Sequence, residues 1–79
     1  MTTKEQIILI LKEIKPTKDL SCVTDIVEGG YIDSFELMLL ISALSEKFGI
    51  EIEVDDLVPE NFNSADAIAS MVERLMGNK

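Results

Sequence analysis

Between Asp33 and Phe48 the chain carries the one pattern that leaves it little choice of local structure. Asp33 stands three residues before Glu36, an acidic version of the reciprocal N-terminal capping box. Just upstream, Gly29-Gly30 permits a tight, irregular path of the backbone. From Leu37 the apolar residues fall at Leu37, Leu40, Ile41, Leu44 and Phe48, the i, i+3, i+4, i+7 spacing of one buried helical face, and Gly49 supplies a left-handed stop. A helix is therefore expected to open at Ser34. That places the Ser34 hydroxyl in the first turn, facing water near the positive end of the helix dipole, where an incoming phosphate ester is favoured.

The rest of the chain reads as support for that turn. Thr3-Lys4-Glu5-Gln6 fits a capping box ahead of Ile7, Ile10, Leu11 and Ile14, so a first helix is expected over about residues 4–15, broken at Lys15-Pro16. Thr17 to Tyr31 has no sustained period but scatters Leu20, Val23, Ile26 and Val27, the mark of a long ordered connection that packs across the core. Residues 49–54 alternate apolar and acidic as a strand would, yet no second strand exists to pair with them, so an extended linker is expected. Asp55 is expected to cap a short third helix over about Asp56 to Val58, ended by Pro59, and Phe62 to anchor the core. Asn63 or Ser64 should cap a last helix whose stripe is Ala65, Ile68, Val72 and Leu75, ending at Gly77. The expected fold is an all-α bundle of three principal helices and one short one, a single domain over residues 1–79.

Composition removes several function classes. There is no histidine, hence no imidazole for general-base catalysis, a serine triad or a zinc site, and a hydrolase using Ser34 has nothing to activate it. The single cysteine, Cys22, can form no internal disulfide and reads as a small half-buried hydrophobe rather than a reactive thiol. The longest apolar runs, Ile7 to Leu11 and Leu37 to Ile41, fall far short of the roughly 20 residues a membrane span needs, and the N-terminus lacks a signal-peptide pattern. A cytoplasmic protein is expected. The net charge of −8 is uneven: residues 19–66 hold twelve acids and one base, Lys47, while Lys4, Lys12, Lys15 and Lys18 lie in the first eighteen residues. Nucleic acid is thus an unfavourable partner, and an acidic surface around Ser34 suits partners with basic patches.

Asp33-Ser34-Phe35-Glu36-Leu37, preceded by Gly30-Tyr31-Ile32 and followed by Glu46-Lys47-Phe48-Gly49-Ile50-Glu51-Ile52, resembles the acyl carrier proteins, and Val58-Pro59-Glu60-Asn61-Phe62 with its following helix extends the likeness over nearly the whole chain. The resemblance implies an acyl-carrier-like four-helix bundle. It implies a carrier and not an enzyme, with 4'-phosphopantetheine donated from coenzyme A by a phosphopantetheinyl transferase, attached to Ser34 beside Asp33, and holding acyl or aminoacyl groups as thioesters. Magnesium would come with the transferase, and the chain itself would hold no metal.

With the core face of the second helix assigned, Phe35, Met38, Leu39 and Ser42 remain on the flank continuing from Ser34. They are either a second buried side of a central helix or, with Glu36, a docking strip for acyl- or aminoacyl-activating and transfer enzymes. Relative to the fatty-acid-synthase carriers, Leu39 stands where glutamate is usual and Phe35 where leucine is usual. The chain is in this respect more similar to D-alanyl carriers and to stand-alone carriers of specialised biosynthetic pathways, acting as a monomer. A rival reading is a helical protein-interaction adaptor that uses Phe35, Met38 and Leu39 and bears no prosthetic group, Ser34 being then an ordinary helix-start residue.

Overall fold

The computed structural model describes residues 1–77. Its helices are α1 (Thr3–Ile14), α2 (Ser34–Phe48), α3 (Pro59–Phe62) and α4 (Ala65–Gly77), with a 3-10 turn at Val54–Asp56 and no strand among the described residues. The acidic alternation after α2 is an extended linker, as expected, with Ile50 buried, Ile52 half-buried, and Glu51 and Glu53 in solvent.

Three helices enclose one core, α1 packing against α4 and α2 while α3 packs on α4. Ile7, Ile10 and Leu11 meet Leu40 and Leu44 of α2, Phe62, and Ala65, Ile68, Met71 and Val72 of α4. Met71 lies one residue outside the expected stripe, and Leu75, inside it, is only half-buried, because α4 packs against α1, α3 and α2 rather than toward one neighbour. Leu37, Ile41 and Phe48 line the margin of the core.

Helix starts depart from expectation in two places. At α1 the capping residue is Thr2, not Thr3: its Oγ1 accepts from Glu5 N (3.1 Å) while Thr2 N donates to Glu5 Oε1 (2.8 Å). The earlier register puts a carboxylate rather than the amide of Gln6 at the third helical position, the better partner for the positive end of the dipole. Pro59 begins a helix instead of ending one. Proline lacks the N–H that a first helical residue leaves unpaired in any case, and it forces the preceding Val58 into an extended conformation (φ −119, ψ 147). The expected helix over Asp56 to Val58 therefore resolves into the 3-10 turn before Val58 and α3 after it; the turn is capped at Glu53, not Asp55, and its third residue Asp56 accepts from Glu53 N (3.1 Å) and pairs with Arg74 (3.3 Å). At α4 the cap is Ser64, whose Oγ accepts from Ala67 N (3.0 Å).

Asn63 is left free for a longer-range task. Its carbonyl Oδ1 accepts from the backbone amides of Val27 (3.0 Å) and Glu28 (3.1 Å), its Nδ2 donates to Glu28 Oε1 (2.8 Å), and its backbone oxygen accepts from Ile26 N (2.9 Å). One side chain thus fastens the long α1–α2 connection to the corner between α3 and α4, and Leu20, Ile26 and Ile32 of that connection are buried against the helices. Asn63→Ala leaves the partly buried amide of Val27 and the exposed amide of Glu28 without their acceptor, which should cost about 1–3 kcal/mol. Urea denaturation of wild type and variant measures this, and an effect below about 0.5 kcal/mol would mean water replaces the side chain.

The connection ends in a turn that needs both of its glycines. A side chain at Gly29 would meet the backbone oxygen of Asp25 at 2.6 Å, and Gly30 takes φ +75, a left-handed value. Cys22 in the same connection is exposed, contrary to its half-buried reading, because the neighbouring apolar residues Leu20 and Val23 take the inward positions. Nearby, the Ser21 hydroxyl (2.7 Å) and amide (3.0 Å) donate to Asp19 Oδ1 and hold that carboxyl below its ordinary pKa.

Candidate functional site

The turn carrying Ser34 is fixed from both ends. Asp33, extended at φ −96, accepts at Oδ1 from Glu36 N (2.8 Å), and Asp33 N donates to Glu36 Oε1 (3.0 Å). Ser34 lies inside this closed box as the first helical residue, exposed, its hydroxyl without a hydrogen-bond partner among the described residues. Such a hydroxyl is free to be approached and is held on rigid backbone.

Beneath it the surface is concave. A hollow of about 290 Å³ is lined by Val27, Ile32, Asp33, Ser34 and Leu37, and a narrower, mainly apolar recess of about 110 Å³ adjoins it, sharing Val27 and Leu37 and closed by Leu57, Val58, Pro59 and Phe62. The connection, α2 and α3 thus all contribute walls next to the serine. Leu57 and Val58 were not singled out by periodicity, since residues 56–58 read as helix; the signal lay in Val58-Pro59, which forces the extended backbone that brings them there.

On the outer flank the structure settles the choice between burial and exposure. Phe35 (70% exposed), Met38 (62%) and Leu39 (45%) all face solvent, and Ser42 with them. Glu36 is half-buried and turned inward, its two carboxylate oxygens each 3.2 Å from Lys15 Nζ. It therefore belongs to the frame of the turn more than to the exposed strip.

The acids that follow continue the negative surface. Glu46, Glu51, Glu53, Asp55 and Glu60 are exposed. No helix of the described residues is long and apolar enough to cross a membrane.

Comparison with known families supplies what geometry alone does not. No curated protein sequence matches the chain. The family model described as the phosphopantetheine attachment site matches residues 5–74, from the first turn of α1 to the last turns of α4. The match takes in every element of the bundle, including the capped turn and both hollows. The chain belongs to the phosphopantetheine-attachment-site family, the carriers of acyl carrier protein type.

Proposed function

We infer that Ser34 bears the covalently attached 4'-phosphopantetheine that membership of this family brings with it. The observation that supports this reading is an exposed, unpaired hydroxyl inside a closed capping box at a helix start, directly above a hollow open to solvent. The residues present fit the group: Ser34 offers the oxygen, Val27, Ile32 and Leu37 offer apolar contact for an arm lying along the surface, and the side chain of Asp33 is engaged with Glu36 N rather than with the serine. Two oppositely charged demands are met at once, because the dipole end favours a phosphodiester while the surrounding acids favour basic partner enzymes.

When bound, the group supplies a terminal thiol that holds an acyl or aminoacyl cargo as a thioester. Ser34 needs no base of its own on this chain; a phosphopantetheinyl transferase acting on coenzyme A provides it. The exposed Phe35 and Leu39, which stand where fatty-acid-synthase carriers usually have leucine and glutamate, support the reading of a carrier for a specialised biosynthetic pathway, proposed to work in the cytoplasm and to pass cargo between an activating enzyme and a transfer enzyme. Incubation with coenzyme A, magnesium and a transferase of broad specificity should add one phosphopantetheine to the intact mass. A chain that stays at its unmodified mass under conditions that modify another carrier would favour the adaptor reading.

Phe35, Met38 and Leu39 are the proposed docking strip. Leu39→Glu puts an acid on an already exposed position, so stability should change by no more than about 0.5 kcal/mol. Affinity for the chain's own activating enzyme should fall about tenfold, since a carboxylate cannot enter an apolar pocket without losing its water. Calorimetric titration of both forms decides this, and equal affinities would remove Leu39 from the interface.

A further inference from the structure

Lys15 sits where α1 ends and Pro16 turns the chain away, its backbone amide donating to Leu11 O (2.8 Å). Its side chain reaches across 21 residues of sequence to the first turn of α2 and contacts both oxygens of Glu36 at 3.2 Å. Among the described residues this is the most shielded of the three ion pairs, with side chains 32% and 19% exposed, against 45% and 78% for Lys4–Asp66 and 52% and 17% for Arg74–Asp56. Glu36 Oε1 is shared: it accepts from Lys15 Nζ and also from Asp33 N at 3.0 Å. An N-terminal capping carboxylate usually moves about its own side-chain torsions. Here the ammonium pins it from outside, so the box that Asp33 and Glu36 close around Ser34 is braced by the residue that caps the end of α1.

We propose that Lys15 is a positioning residue for Ser34, acting through Glu36 to hold the first turn of α2 in the geometry that presents the hydroxyl for phosphopantetheinyl transfer. This rests on the assignment of Ser34 as the attachment residue. It departs in sign from what charge alone would do. Lys15 belongs to the lysine-rich first eighteen residues of a chain whose net charge is −8, so if only long-range attraction mattered, removing it would make the chain more acidic, draw a basic transferase closer and improve the reaction. A positioning role demands the opposite.

The test uses the full chain, coenzyme A and a broad-specificity transferase, with Lys15→Met, Lys15→Arg, Glu36→Gln and the double variant Lys15→Met/Glu36→Gln. Lys15→Met should lower kcat for attachment about two- to fivefold, the range a partly shielded ion pair can account for, with KM for the carrier unchanged or reduced. Lys15→Arg should restore most of the rate. The double variant should match Glu36→Gln within about twofold, because a residue that acts through another adds nothing once that other is gone. Amide hydrogen exchange gives a readout independent of the transferase: Asp33 N and Glu36 N should exchange faster in Lys15→Met, while Ile68 N, bonded to Ser64 O in α4 (3.0 Å), should not.

A Lys15→Met carrier modified at the wild-type rate overturns the proposal, and so does a double variant whose losses multiply or an exchange increase spread over α4 as well. Ser34→Ala serves as the control that separates the two levels. If that variant is still modified, the assignment of Ser34 fails and the role of Lys15 fails with it; if it is not, the Lys15 results stand on their own.

Discussion

Ser34→Ala should abolish attachment of phosphopantetheine altogether while leaving the fold as it is. The hydroxyl is exposed and unpaired among the described residues, and alanine at a first helical position keeps the capping box intact, since both of its hydrogen bonds run between Asp33 and Glu36. The stability change should stay within about 0.5 kcal/mol, or about 2–4 °C in Tm for a domain of this size. Intact-mass measurement after exhaustive treatment with coenzyme A and a transferase, alongside a thermal melt monitored by far-ultraviolet circular dichroism, gives both numbers on one sample. A variant that gains the prosthetic mass refutes the assignment. One that fails to gain it but has also lost its helical spectrum would mean that Ser34 holds the turn, and would count against the exposed, unstrained site described above.

Phe62→Ala should be the most damaging single change to the fold. Phe62 is 1% exposed at the end of α3, touching the same core as Ile7, Leu44 and Ile68, and is the largest fully buried side chain. Truncation removes its transfer free energy and opens a cavity, a loss of about 3–5 kcal/mol. Small domains have only about 5–15 kcal/mol in all, so the melting temperature should drop by about 15–30 °C. Because Phe62 also closes the recess beside Leu37 and Val58, the cavity would open toward the hollow under Ser34. Chemical denaturation checks the magnitude, and a loss under about 1 kcal/mol would contradict the burial of this ring.

What could be read from the residues divides by range. The helices around Ile7-Ile10-Leu11, Leu40-Leu44 and Ile68-Val72 were legible because period and caps are local, and the box from Asp33 to Glu36 was legible for the same reason. Local signals also failed where two readings lay one residue apart: Thr2 and Thr3 both can cap, and the choice between them turns on which acceptor lands at the third helical position. Pro59 is ambiguous in kind, a stop from one side and a start from the other. Cys22 was misplaced because burial inside an irregular connection follows no period. The ties of Lys15 to Glu36 and of Asn63 to Val27 and Glu28 lay beyond any local pattern, spanning 21 and about 36 residues. A lysine before a proline and an asparagine before a serine read only as helix ends.

The clasp made by Asn63 also bears on the order in which this protein can mature during synthesis. Its acceptors reach back to amides that leave the ribosome some 35 residues earlier, so a nascent chain carrying Ser34 but not yet residue 63 has the connection and its glycine turn without their fastening. The buried partners of that connection, Phe62 and Ile68, arrive at the same late stage. With Ser34 as the proposed attachment residue, its presentation is a property of the finished domain, and an incomplete or C-terminally clipped product is expected to offer a transferase the same five residues around Ser34 without the shape that holds them.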